Sequence, residues 1–114
     1  MSAALRLCRF DELADPGAQG FSFGSDVMRR DVLLVRQGAQ IFAYENACPH
    51  QGTPLDFLPD QLLTHDRKHL LCSTHGAIFE IATGYCVRGP CKGKSLRAIP
   101  CHVENGFVVI GDES

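Results

Sequence analysis

Apolar and polar residues alternate along short stretches of this chain, the period of strands and not of helices. Leu5 to Phe10 alternates in this way and predicts an opening strand. Asp11 to Asp15 has room for one helical turn before Pro16-Gly17 interrupts it. A short strand is expected at Gly20–Gly24. Asp31 to Gln37 and Gln40 to Glu45 flank Gly38 and read as a hairpin. Leu96 to Val103 and Phe107 to Ile110 flank Glu104-Asn105-Gly106 and predict a second. Asn-Gly supports it, because both residues tolerate the positive φ of tight hairpin turns. Val, Ile and Phe dominate these segments, and no long window carries helical periodicity. The expectation is an all-β fold of short antiparallel strands, a sandwich or small barrel.

Between the two hairpins lies a long stretch, Asn46 to Lys94, rich in Gly, Pro, Cys and His. Long irregular stretches inside compact domains usually carry function. The whole chain has 114 residues, enough for one domain over 1–114 and not for two. Its 11 basic and 13 acidic residues give a net charge of −2, so nothing suggests a nucleic-acid partner. The longest apolar runs, Val32-Leu33-Leu34-Val35 and Phe107-Val108-Val109-Ile110, are far shorter than the ~20 residues of a membrane span. Met1 to Phe10 is interrupted by Arg6 and Arg9 and lacks the apolar stretch of an export signal, so a cytoplasmic protein is expected.

Six cysteines in so short a chain would suggest disulfides after secretion. Without an export signal, reduced thiols or metal ligands are the better expectation. Two cysteines stand in pairs with histidines: Cys48-Pro49-His50, and Cys72-Ser73-Thr74-His75. Twenty-one residues, Gln51 to Leu71, separate the pairs. Two thiols and two imidazoles on neighbouring loops suit one metal centre, and this donor set admits an iron–sulfur cluster, zinc or copper(I). Each pair is mixed, whereas a zinc finger groups its cysteines apart from its histidines. In a Rieske centre two cysteines bind one iron and two histidines the other, so mixed pairs let each loop touch both irons.

On these residues the chain resembles the Rieske family. Cys48-Pro49-His50-Gln51-Gly52 matches its first box and Cys72-Ser73-Thr74-His75-Gly76 its second, with Phe79, Gly84, Gly89 and Pro90 following at similar spacing. The resemblance covers Val32 to Ile110. It implies a sandwich-like base and a small cluster-binding subdomain made by two loops, with the Gly89-Pro90 loop on a third side. It also implies one [2Fe–2S] cluster held by Cys48, His50, Cys72 and His75. The thiolates would hold the iron that stays ferric, and the imidazoles the iron that is reduced. Gln51, Gly52, Thr53, Pro54, Gly76 and Pro90 would form the rim that meets a redox partner.

High-potential members of the family join their two cluster loops by a disulfide, but the corresponding positions here hold Thr53 and Thr74. Those members also place a serine and a tyrosine hydroxyl on the cluster, where this chain has Ala77 and Phe79. Hydrogen bonds to the sulfurs favour the more negative reduced form. Their loss predicts a potential near the low end of the Rieske range, about −150 mV. The resemblance is to a soluble Rieske-type ferredoxin, an electron carrier between a flavin-dependent reductase and a terminal oxygenase. A structural zinc module and a redox sensor are the rivals from another class. A small subunit of an assimilatory reductase, Rieske-like but often without ligands, fits less well because all four ligands are present.

The remaining candidates take structural readings. Cys86 and Cys91 lie outside both boxes and are expected to be structural thiols. Cys8 and Cys101 fall in predicted strands, as small buried hydrophobes. His65, His69 and His102 are read as surface or strand residues, and Asp11-Glu12 and Asp112-Glu113 as solvated charge. The spacer, with its Phe57-Leu58-Pro59-Asp60, is read as a tolerated insertion, which costs little chain entropy.

Overall fold

A computed structural model describes residues 5–23, 30–47, 55, 62–72 and 76–110. Among the described residues, ten strands carry nearly all of the regular structure: β1 (Leu5–Arg9), β2 (Gly17–Phe23), β3 (Arg30–Gln37), β4 (Gln40–Glu45) and β5 (His69–Cys72), then β6 (Ala77–Glu80), β7 (Cys86–Arg88), β8 (Ala98–Ile99), β9 (Cys101–Glu104) and β10 (Phe107–Ile110). They form three antiparallel sheets, ordered β1-β10-β9, β2-β3-β4-β8 and β5-β6-β7. The all-β, antiparallel expectation is met. A 3-10 turn at Phe10–Glu12 replaces the longer helical turn expected after β1.

The four-stranded sheet is the middle layer. Val32, Leu33, Leu34 and Val35 of β3 are all fully buried. Leu33 and Val35 join Tyr44 in one core, while Val32 and Leu34 join Ala43 in another. An unbroken apolar run is what a strand needs when neither face meets water. The first core lies against β5-β6-β7 through Leu70, Cys72, Ala77, Phe79 and Cys86. The second lies against the β1-β10-β9 sheet through Val108 and Ile110.

Three features differ from the sequence reading. β2 begins at Gly17, earlier than the expected Gly20, and pairs with β3 in continuous register from Gly17↔Arg36 to Phe23↔Arg30. The expected strand Leu96 to Val103 is two strands, because Pro100 has no N–H to give to a ladder. β8 pairs with β4 in the middle sheet, and β9 pairs with β10 in the outer one. The third difference is in the stretch from 46 to 94, which holds a whole sheet rather than loops alone. The two hairpins stand as expected, with Gln37↔Gln40 closing one and Glu104↔Phe107 the other. Asn105 and Gly106 both take positive φ, 53° and 82°.

Tyr44 ties the middle sheet to β5-β6-β7. Its hydroxyl donates to the Ile81 carbonyl at 2.6 Å. Gly84, at φ 74°, brings the β6-β7 turn onto the Tyr44 ring, where a Cβ would stand 2.8 Å from Cε1. Burial, and then the charge of Cys101, push the Tyr44 phenol up to about 12. The unfolded phenol titrates near ~10. The folded protein therefore keeps this proton where the unfolded chain has lost it. The stability this group contributes is complete below about pH 10 and is lost as pH rises through about 12. Urea denaturation from about pH 9 to about pH 12 should show that fall. Tyr44→Phe should cost roughly 1–3 kcal/mol at neutral pH and flatten the alkaline limb. An alkaline limb unchanged in the variant would assign the loss to another group.

Candidate metal centre

The described residues that flank the two boxes are anchored in the fold. The first follows the end of β4, where Asn46 is buried at 7% exposure. Its backbone N–H donates to the Asp31 carbonyl at 2.9 Å. Its side-chain Oδ1 accepts the backbone N–H of Leu55 at 2.7 Å. Leu55 is fully buried in the core beneath β5-β6-β7. Asn46 and Leu55, which flank the first box in sequence, are thus joined by a side-chain hydrogen bond.

The second box begins on a strand. Cys72 is the last residue of β5, fully buried in the same core as Leu55. It pairs with Ala77 across the β5-β6 hairpin, and the Gly76 N–H donates to the Cys72 carbonyl at 2.8 Å. Ser73, Thr74 and His75 stand between these two closing residues in sequence. Cys48, His50 and His75 lie outside the described residues, as do Gln51 to Pro54, Phe57 to Asp60 and Asp112-Glu113. Among the described residues no cluster of three or more His, Cys, Asp or Glu side chains gathers. Cys72 is the one member of the expected ligand set that can be placed.

Gly89 and Pro90 come to this hairpin from β7. A Cβ on Gly89 would stand 2.7 Å from the Ala77 Cα, and its φ is 107°. Only glycine lets the two backbones approach so closely in that conformation. The turn therefore rests against the residue that follows the second box. Gly76 and Pro90 are exposed, as a contact rim requires. Ala77 and Phe79 are fully buried and leave the core here without a hydroxyl.

The other candidates sort clearly. Cys8 and Cys101 are only half-buried, against the sandwich-side core. Burial pushes both thiols up, with the charge of Glu12 adding to the effect at Cys8. His65 is exposed, His69 opens β5, and His102 faces Glu104 at 3.1 Å. Asp11 and Glu12 are exposed as expected, the latter accepting the Arg9 N–H at 3.0 Å. The described end of the spacer is an ordered hairpin. Leu63 bridges Leu70, the Leu71 N–H donates to the Leu62 carbonyl, and Arg67 turns with φ 62°. The Asp66 carboxyl is held low by the Thr64 hydroxyl and the Lys68 N–H. Cys86 and Cys91 are buried with their sulfurs 3.0 Å apart.

A model of the Rieske [2Fe-2S] domain matches residues 4–103. The ferredoxin component of the alkene monooxygenase system of Xanthobacter autotrophicus is 33% identical over 107 residues, which is 94% of this chain and 80% of the relative. The ferredoxin of carbazole 1,9a-dioxygenase from Nocardioides aromaticivorans shares the fold at TM-score 0.73 and 24% identity, over 96% of this chain and 98% of that one. The terminal oxygenase from the same organism matches at TM-score 0.75 and 24% identity, over 97% of this chain but 31% of its own. The chain belongs to the Rieske [2Fe–2S] family. It is an electron carrier of the ferredoxin kind rather than a catalyst, with one [2Fe–2S] cluster as its cofactor. The donor chemistry fits that cluster: a buried thiol closes β5, and one more thiol and two imidazoles stand in the adjoining box sequences.

Sequence reading missed Asn46 and Leu55. An asparagine directly after a strand and two residues before the first box cysteine was the available signal, since its side chain readily caps nearby backbone. Asn46→Ala leaves the buried Leu55 N–H without this acceptor. The expected cost is about 1–3 kcal/mol in urea denaturation, with faster bleaching of the cluster colour. A variant as stable and as slow to bleach as the parent would remove the clamp from this account.

Proposed function

We propose that this protein accepts single electrons from a flavin-dependent reductase and delivers them to a terminal oxygenase, using a cluster held by Cys48, His50, Cys72 and His75. The observation that carries the ligand assignment is the shared root of the two boxes. Leu55, which closes the first, and Cys72, which opens the second, are buried in one core. A packed base shared by the residues that flank both boxes supports a cluster that would take donors from both.

The cluster supplies reversible one-electron chemistry. The protein's own residues decide access and potential. Gly76, which follows His75 in sequence, and Pro90 are exposed and would be open to a docked partner. Contacts of this kind are small and transient. Ala77 and Phe79 provide no hydroxyl, which supports a potential toward the low end of the Rieske range.

Two relatives support the partner assignment. One is the ferredoxin component of an alkene monooxygenase system. A second fold match, at TM-score 0.75 and 23% identity, is a complex of reduced oxygenase and oxidised ferredoxin in carbazole 1,9a-dioxygenase. It covers 97% of this chain and 94% of the matched one. We place the chain and its partners in the cytoplasm, where the thiols of Cys8 and Cys101 would stay reduced. The single unit over 1–114 is part of the same reading. Among the described residues no helix is long and apolar enough to cross a membrane.

His50→Cys tests the ligand assignment together with the transfer role. It exchanges a neutral donor for a thiolate, so the midpoint should fall from roughly −150 mV toward the roughly −400 mV of all-cysteine clusters. Reduction by a flavoprotein reductase, followed by stopped-flow absorbance, should slow accordingly. An unchanged midpoint would remove His50 from the ligand set. A parent protein that the reductase cannot reduce would remove the carrier role.

A further inference from the structure

Cys86 and Cys91 belong to neither box, yet their sulfurs are brought together more tightly than packing alone requires. Cys86 opens β7 and is fully buried, and Cys91 is 1% exposed. The Cys91 thiol donates to the Cys86 sulfur at 3.0 Å, and the Cys86 thiol donates to the Arg88 carbonyl at 3.2 Å. The backbone between them is held as a closed turn. The Cys86 N–H donates to the Lys94 carbonyl at 2.8 Å, and the Gly93 N–H returns a bond to Cys86 at 3.2 Å. The Lys92 N–H reaches the Gly89 carbonyl at 3.1 Å, and the Lys94 N–H reaches Cys91 at 2.9 Å. Backbone bonds thus fix both cysteines before any covalent bond joins them. The outer wall is thin, because Arg88, Gly89, Pro90, Lys92, Gly93 and Lys94 are all exposed.

We propose that Cys86 and Cys91 are a redox modification site that closes reversibly to an intramolecular disulfide, with a low-molecular-weight disulfide such as glutathione disulfide as the oxidant. The thiolate of one cysteine attacks a sulfur of glutathione disulfide, forming a mixed disulfide and releasing one glutathione thiolate. The second cysteine, as thiolate, attacks the protein sulfur of that mixed disulfide and releases the second glutathione. The two protein thiols are oxidised, glutathione disulfide is reduced to two thiols, and the two protons pass to the released thiolates. The sulfurs are only about 1 Å farther apart than in a disulfide, so closure needs a small movement. Entry of the oxidant needs the exposed turn to lift, which makes the reaction slow but leaves the sandwich untouched. Once closed, the bond pins the turn that sets Gly89 against Ala77, beside the second box. Disulfides in reducing compartments are typically of this transient, sensing kind. The proposal does not depend on which reductase or oxygenase the carrier serves.

The test uses the holoprotein in its wild-type form, incubated anaerobically with glutathione disulfide or with buffer alone. It is then denatured in an alkylating agent, digested and read by mass spectrometry with fragmentation. The expected result is a Cys86–Cys91 bond in the treated sample, reversed by dithiothreitol, with the visible spectrum of the cluster preserved. Tryptic cleavage of the folded protein after Arg88 and Lys92 should also slow severalfold in the bonded form. Full alkylation of both cysteines after treatment would overturn the proposal. A bond from either one to Cys72 would overturn it as well, and so would a disulfide that forms only as the cluster colour is lost.

Discussion

Val32, Leu33, Leu34 and Val35 are all fully buried, and their side chains divide between two cores on opposite faces of the middle sheet. A sheet with no wet face needs a cover on each side. The β1-β10-β9 sheet is one cover, packing Val108 and Ile110 against Val32 and Leu34. The β5-β6-β7 sheet is the other, packing Leu70 and Phe79 against Leu33 and Val35. Burial of about 25 cal/mol per Å² of apolar surface supplies the attraction, while Tyr44 and its bond to Ile81 fix the position of the second cover.

The site follows from that second cover. Its three strands are short. The β5-β6 hairpin pairs Cys72 with Ala77, and the turn that follows β7 sets Gly89 against Ala77. Leu55, which follows the first box in sequence, lies in the same core, and its N–H donates to Asn46 Oδ1. Two loops far apart in sequence therefore share one foundation. The Cys86–Cys91 pair is buried in the same core.

The sequence makes the chemistry more legible than the architecture. Mixed Cys–His pairs at C-x-H and C-x-x-H spacing are informative because few sites need those donors in that order. Alternation and Asn-Gly likewise reveal the two hairpins, since both signals are local. What escapes is non-local. The run Val32–Val35 shows a buried strand but not that two different sheets would cover it. Pro100 marks a break, yet only pairing shows that the chain changes sheets there. His69–Cys72, Ala77–Glu80 and Cys86–Arg88 are too short, and too rich in Cys and Gly around them, to stand out as a sheet. The contact between Cys86 and Cys91 depends on a turn whose hydrogen bonds leave no mark in composition.

The central claim is that two mixed boxes, rooted in one core, hold a cluster with two thiolates and two imidazoles. Low-temperature EPR of the dithionite-reduced protein tests it most directly. The account expects one spin per chain with the low average g-value of a histidine-ligated [2Fe–2S] cluster. The higher average g-value of an all-cysteine cluster would contradict the ligand set. A colourless, EPR-silent protein carrying zinc after anaerobic preparation would contradict the electron carrier itself.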